Sequence, residues 1–191
     1  MYEQYLRSKN NQIDCILRGE KTSPLEEISW LKKLCGHPLL CEGVTHFDEY
    51  PRKKLLNESA KLSMLVDLIQ NLLALGHRVL IFSQSTRMLD IISNVINFTN
   101  FDRIDGSTRG TDRQIIVDNF NNDVGTQVML LSTKAAGIGI NLTSADRSVI
   151  YDPSWNPAED AQAVDRCYRI GQKKNVVVYR FIASGTVEEK M

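Results

Sequence analysis

Hydrophobic positions along the chain change rhythm near residue 58. Before it, Tyr2, Tyr5 and Leu6, then Ile13, Ile16 and Leu17, recur at helical but irregular spacing. Ser23-Pro24 predicts a cap and first turn for a helix through Leu34, since the N–H that proline lacks has no intrahelical partner there. Gly36 stops that helix and Pro38 follows. Gly43 to Asn57 mixes charges with no clear period and predicts a mobile connection.

From Ser59 the pattern alternates between helix and strand. Ser59 to Leu75 predicts an amphipathic helix, with Leu62, Leu65, Val66, Ile69, Leu72 and Leu73 on one face and Gly76 ending it. Arg78 to Phe82 predicts a nearly all-apolar strand, the kind buried on both faces of a sheet. Then follow a helix (Met88 to Phe98), a strand (Phe101 to Ile104) and a helix from Thr111 to Phe120, capped by Thr111 or Asp112. Strands are expected at Gln127 to Leu131 and Ser148 to Tyr151, a helix at Pro157 to Tyr168, and a last strand at Val176 to Ile182. A further helix begins at Thr186. Such alternation implies right-handed crossovers and a parallel sheet covered on both faces. Residues 1–57 read as a helical extension and linker, and 58–191 as the α/β domain.

In an open parallel sheet, ligands bind at the loops following the C-terminal ends of strands. These loops are Ser83-Gln84-Ser85-Thr86, Asp105-Gly106-Ser107-Thr108, Ser132 to Asn141, and Asp152-Pro153-Ser154-Trp155-Asn156-Pro157. Strand-end loops are often polar merely because they turn. In series, though, hydroxyls, amides and glycines leave donors and free backbone N–H groups suited to phosphate.

The segment after Pro157 adds charge. Arg166 and Arg169 are three apart, and Gln162 lies four before Arg166, so one helix face would carry all three. Guanidinium groups stay charged and can fork onto phosphate oxygens. A solvated face paired to Asp165 and Glu159 is the competing explanation.

Composition narrows the classes. Lys+Arg and Asp+Glu are both 23, so any affinity for nucleic acid must come from local placement rather than net charge. Four cysteines without disulfide-scaffold density or a signal peptide suit reduced thiols in a cytosolic or nuclear setting. No apolar run approaches the roughly 20 residues that span a bilayer, so no membrane partner is expected.

Together these segments resemble the C-terminal lobe of superfamily-two helicases, and within them the Swi/Snf-type DNA translocases. The resemblance rests on Val79-Leu-Ile-Phe-Ser-Gln84, and on Ile104-Asp-Gly-Ser-Thr108 with Arg113 and Asp118-Asn-Phe-Asn121. It continues through Leu131-Ser-Thr-Lys-Ala-Ala-Gly-Ile-Gly-Ile-Asn-Leu142, Asp152-Pro-Ser-Trp-Asn-Pro157 and Gln162-Ala-Val-Asp-Arg-Cys-Tyr-Arg-Ile-Gly-Gln172. Leu31-Lys-Lys-Leu-Cys-Gly-His-Pro38 resembles the leucine-rich stretch that precedes this lobe. The tryptophan loop and the arginine segment are most similar to the branch holding the Cockayne-syndrome B protein and PICH. Two positions depart from the pattern: Ala136 stands where a glycine is usual, and Gly36 where an asparagine is usual.

The resemblance implies a RecA-like three-layer α/β/α domain with a mainly parallel sheet and an N-terminal helical extension. It implies arginine fingers at Arg166 and Arg169, and nucleotide contacts at Gly137, Gly139 and Gln162. Ser83, Gln84, Gly106, Ser107, Ser132 and Thr133 become candidates for DNA-backbone contact, with Trp155 touching DNA or coupling it to the nucleotide. The expected cofactors are ATP and Mg, held mainly by a first RecA-like lobe. That lobe and double-stranded DNA are the expected partners, with nucleosomes or repair proteins beyond them, in the nucleus. No Gly-x-x-x-x-Gly-Lys-Ser/Thr occurs in the chain, so it is expected to be inactive as an ATPase alone. Two rivals are a docking module using Leu39, Leu40 and the N-terminal helices, and a zinc site at Cys35, His37, Cys41 and His46. No metal is otherwise expected.

Overall fold

The computed structural model describes residues 24–42, 44, 46–122, 125–136, 140–166, 168 and 171–191. The expected helix over Tyr2 to Leu17 and the Ser23 cap lie outside these residues. The described chain opens with α1 (Pro24–Gly36), a 3-10 turn at Pro38–Leu40, α2 (Arg52–Glu58) and α3 (Ala60–Ala74). The alternating part follows: β1 (Val79–Ser83), α4 (Thr86–Val95), β2 (Phe101–Ile104), α5 (Gly110–Asn122), β3 (Val128–Ser132), α6 (Thr133–Ala136) and β4 (Arg147–Ile150). It closes with α7 (Pro157–Val164), β5 (Val177–Arg180) and a 3-10 turn at Val187–Lys190.

The five strands form one sheet in the order β2-β3-β1-β4-β5, and every neighbouring pair is parallel. Period-two alternation sorts the apolar strand residues onto two faces. Val79 and Ile81 of β1 and Val128 and Leu130 of β3 join one core with Leu62, Leu65 and Ile69 of α3 and Ile91 and Ile92 of α4. Leu80, Phe82, Met129 and Leu131 join the other with Phe120 of α5 and Ala163 of α7. Side chains buried this fully each stabilise by roughly 1.5–3 kcal/mol. The result is the three-layer α/β/α architecture expected of a RecA-like domain.

Local chemistry sets the element ends. The Ser59 hydroxyl accepts the Leu62 N–H at 3.2 Å and starts α3. At its other end Gly76 takes φ 75°, and the N–H groups of Gly76 and His77 return to the carbonyls of Leu73 and Leu72. Only glycine enters that left-handed conformation without strain.

Two expectations are corrected. The stretch from Gly43 to Asn57 is not a mobile connection where it is described, because it contains all but the last residue of α2 and two buried anchors, Phe47 and Leu55. Arg52 Nε donates to the Val95 carbonyl at 2.8 Å, and Asn94 Nδ2 to the Phe47 carbonyl at 2.7 Å. The same core therefore takes in residues on both sides of 57/58. The helix expected from Pro157 to Tyr168 ends at Val164. The Asp165 N–H returns to the carbonyls of Ala161 and Ala163, and Leu142 donates its N–H to the Arg166 carbonyl instead.

Candidate functional site

β1 connects toward β2 on one side of the sheet and β4 toward β5 on the other, so a crevice opens between their C-terminal ends. Asp152, just past β4, closes its floor. One carboxylate oxygen accepts the Gln84 N–H at 2.9 Å and the other the Ser83 hydroxyl at 3.1 Å. Burial pushes the Asp152 carboxyl up to about 6, partly offset by those two bonds and by the charges of Lys61 and Lys32. Ser85 then caps α4, accepting the Met88 N–H at 3.3 Å.

The loop after β2 is held from inside. Asp105 is buried, and its Oδ1 accepts both the N–H and the hydroxyl of Ser107, at 2.8 and 2.6 Å. Arg103 donates to its Oδ2 at 2.8 Å. Burial alone would raise the Asp105 carboxyl, but the bonds from Ser107 and Arg103 outweigh it and hold it below its ordinary value. Gly106 and Ser107 are left exposed at the tip. A Cβ built on Gly106 meets nothing within 4 Å, and its φ is not left-handed. The fold itself therefore does not require glycine there.

The tryptophan loop is braced by Asp160, the fourth residue of α7. Both its oxygens accept the Ser154 N–H, at 3.1 and 3.2 Å, while the Ser154 hydroxyl donates to Glu159 at 2.7 Å. Asn156 caps α7 through the Ala158 N–H at 3.1 Å, and Pro157 fills the first helical position. This bracing holds Trp155 outward, 51% exposed, so it is not a core tryptophan. The Lys32 ammonium lies 5.8 Å from its ring centroid.

The expected ligand residues divide. Gly106, Ser107 and Trp155 lie open along the sheet's C-terminal edge, and Gln84 is half-buried with its side-chain Nε2 enclosed. Ser83, Ser132 and Thr133 are buried, with Ser83 bonded to Asp152 and Ser132 accepting the Ala135 N–H at 3.2 Å. Their side chains face the protein. Gln162 is exposed on α7, whereas Arg166 is 5% exposed and lies in the turn beyond that helix. Arg166 therefore shares no continuous helix face with Gln162. Gly137, Gly139 and Arg169 lie outside the described residues.

Sequence reasoning missed Ser29 and Lys32, which α1 brings to the crevice, and the bracing carboxylates of Asp152 and Asp160. An aspartate directly after a strand and another entering the next helix were the available signals.

Both rivals lose ground. His37 uses its Nε2 at the Leu55 carbonyl, 3.0 Å away, and its Nδ1 accepts the Leu39 N–H at 3.2 Å. Neither ring nitrogen is left to ligate zinc, and no group of three metal-binding side chains occurs among the described residues. Leu39 and Leu40 belong to the core, not to a docking face. No helix among the described residues is long and apolar enough to cross a membrane.

Known proteins carry the same pattern. The profile of the helicase conserved C-terminal domain matches residues 60–171. The Bos taurus protein described as DNA excision repair protein ERCC-6-like is 45% identical over 201 residues, covering 90% of this chain and 16% of that protein. The Oryza sativa subsp. japonica SNF2 domain-containing protein ENL1 is 39% identical over 225 residues, covering 100% of this chain and 22% of that protein. The Saccharomyces cerevisiae ISWI chromatin-remodeling complex ATPase ISW1 is 46% identical over 178 residues, covering 91% and 16%. The chain thus spans a small part of the length of the curated relatives it matches. A crystal structure of the C-terminal part of the Fun30 ATPase domain superposes with a TM-score of 0.70 at 35% identity, covering 91% of this chain and 54% of that one. With the matched residues filling more than half of it, the chain belongs to the helicase conserved C-terminal domain family, in its Swi/Snf branch.

Proposed function

We propose that this chain is the second motor lobe of an ATP-driven double-stranded-DNA translocase, acting in the nucleus in chromatin remodelling or DNA repair. The observation that carries the DNA side is the open row of Gly106, Ser107 and Trp155 along one sheet edge, with half-buried Gln84 beside them, on loops braced from within. Donors and a close-approach glycine suit a phosphate backbone, with little sequence preference and strong salt dependence. The names of the relatives favour the process: repair for one, chromatin remodelling for another.

For the nucleotide side, we assign Gln162, Arg166 and Arg169, with the backbone at Gly137 and Gly139. Amide and guanidinium donors fit a triphosphate, and ATP, when bound, supplies the phosphoryl group transferred to water. Arg166 and Arg169 neutralise charge on the phosphate oxygens. Since Arg166 is buried, its turn must rearrange before its guanidinium reaches a ligand. Mg and the phosphate cradle belong to a first lobe, because the chain has no Gly-x-x-x-x-Gly-Lys-Ser/Thr. Residues 58–191 form the lobe proper and 1–57 the lead into it, a division the profile match at 60–171 favours.

ATP turnover by this chain alone, and by the same chain joined to a first lobe, each with and without duplex DNA, tests this reading. The expected result is none from the chain alone and DNA-stimulated turnover from the longer protein. Robust turnover by the chain alone overturns it.

A further inference from the structure

β5 ends the sheet on its side and pairs only with β4 among the described residues. The Val177 and Phe181 N–H groups donate to the Asp146 and Ile150 carbonyls at 3.0 and 2.9 Å, so residues of that parity bond to β4. The N–H and C=O groups of Val178 and Arg180 have the opposite parity and point away from β4, where they form an open template for a further strand. The side chains alternate too. Tyr179 and Phe181 pack toward the core that holds Val149 and Tyr151, on the α3 side. Arg180 points to the α7 side, 3.7 Å from Asp160. Between the outer edge of β5 and α3 lies a groove of about 710 Å³, walled by Ala60, Lys61 and Met64 of α3 and by residues 178–184. Met64 is 65% exposed on the helix side, and Val178 and Ile182 are exposed on the strand side. The bonding edge for a sixth strand and an apolar layer to cover it are thus both in place.

Charge narrows the occupant. The groove is lined by two cations, Lys61 and Arg180, and by no acid. Lys61 is held by Glu188, but the Arg180 side chain stays 46% exposed, and Lys173 and Lys174 stand exposed just before the strand. Two copies of β5 laid edge to edge would set Lys174 near its own counterpart or near Arg180, and like charges across strands repel. We propose that the outer edge of β5 binds an extended segment of a partner protein as a sixth strand, with apolar side chains turned to Met64 alternating with acidic ones turned to Arg180. Main-chain bonds supply the affinity in such strand addition, and the alternate side chains select the sequence. None of the residues assigned to DNA or nucleotide line this groove, so it is independent of that reading.

The test uses the whole chain and a short labelled peptide of alternating valine and glutamate, with affinity followed by fluorescence anisotropy. Two further forms of the peptide are N-methylated on one or the other alternate set of amides, and only one set faces β5. The expected result is binding that weakens about tenfold or more when one set is methylated and barely changes when the other is. Lysine in place of glutamate should weaken it as well. Met64→Glu puts a carboxylate under the apolar face and should abolish most of the binding, whereas Ile115→Glu, at an exposed position on α5, should leave it unchanged. Both residues are exposed, so neither variant threatens the fold. Amide hydrogen exchange on the unaltered chain identifies the occupant: bound peptide should slow the Val178 and Arg180 amides. No binding, or equal loss from both methylated forms, overturns the strand-addition site. If those two amides are already slow in the dilute chain without peptide, another part of this chain fills the groove. Slowing that grows with chain concentration means a second copy fills it, and either result overturns the assignment to a partner protein.

Discussion

The backbone N–H of Gln84 donates to the Asp152 carboxylate across 2.9 Å, tying the end of β1 to the end of β4. Burial makes that carboxylate costly to ionise, lifting it from 3.8 to about 6. Below the ordinary value the group is protonated both folded and unfolded, and its full contribution is present. As pH rises through about 6 that contribution is lost, by about 3 kcal/mol at neutral pH. Asp152→Asn keeps an oxygen for the Gln84 N–H and removes the charge. The variant is expected to gain stability relative to the parent as pH goes from about 4 to about 7, by up to about 3 kcal/mol. Urea denaturation of both proteins across that window measures the gap. A gap that does not move with pH contradicts the assignment.

Lys61 and Glu188 form a buried pair, with the ammonium 2.8 and 2.7 Å from the two carboxylate oxygens. Their side chains are 9% and 0% exposed, so solvent screens them little. Glu188 also accepts the Ala183 N–H at 2.8 Å, which pins the last 3-10 turn to α3 through Lys61. Glu188→Gln leaves the ammonium without its countercharge and should cost about 3–5 kcal/mol. Adding Lys61→Met removes the orphaned charge, and most of that loss should return. Denaturation midpoints of Glu188→Gln and of the double variant test it. A double variant no better than Glu188→Gln would show that the charge is not the cause.

Much of this architecture was legible in the residues. Val79 to Phe82 and Val128 to Leu131 are apolar throughout, and only a strand buried on both faces makes use of that. Phe101 to Ile104 keeps the bounds expected of it. The short α2 stayed hidden because Leu55 alone among its residues is buried, and one position has no period. The early end of α7 was hidden because it depends on the Arg166 carbonyl meeting Leu142 from a distant segment. For the candidate site, the exposed positions Gly106, Ser107 and Trp155 could be picked out from strand ends alone. Whether a strand-end hydroxyl faces ligand or protein could not, since Ser83 turns inward for an Asp152 that follows a different strand. The approach of Lys32 to Trp155 likewise joins residues far apart in the chain.

At Gly106 the needs of the fold and of a ligand can be measured apart. With open space around its Cβ direction and no left-handed φ, Gly106→Ala should change stability by less than about 0.5 kcal/mol. Under the proposed DNA contact the added methyl would nonetheless stand in the way of the ligand backbone, and duplex affinity should fall several-fold. Thermal denaturation and anisotropy on the same samples measure both. Unaltered affinity would remove Gly106 from the DNA contacts, and a large loss of stability would show that the loop is tighter than its geometry.

Arg166 and Arg169 should part company when each is replaced by alanine. In the protein joined to its first lobe, Arg169→Ala is expected to lower ATP hydrolysis about 10³-fold or more and to leave duplex binding largely intact. Arg166 is 5% exposed in the turn that Leu142 closes, so Arg166→Ala removes buried packing as well as charge. It should lower the denaturation midpoint of the isolated chain in addition to slowing turnover, and Arg166→Lys should restore less activity than stability, because an ammonium cannot fork onto two phosphate oxygens. Turnover and midpoint measured side by side distinguish the roles. If Arg169→Ala abolishes duplex binding and hydrolysis proceeds normally, these arginines serve DNA and not the nucleotide, and the arginine-finger assignment fails.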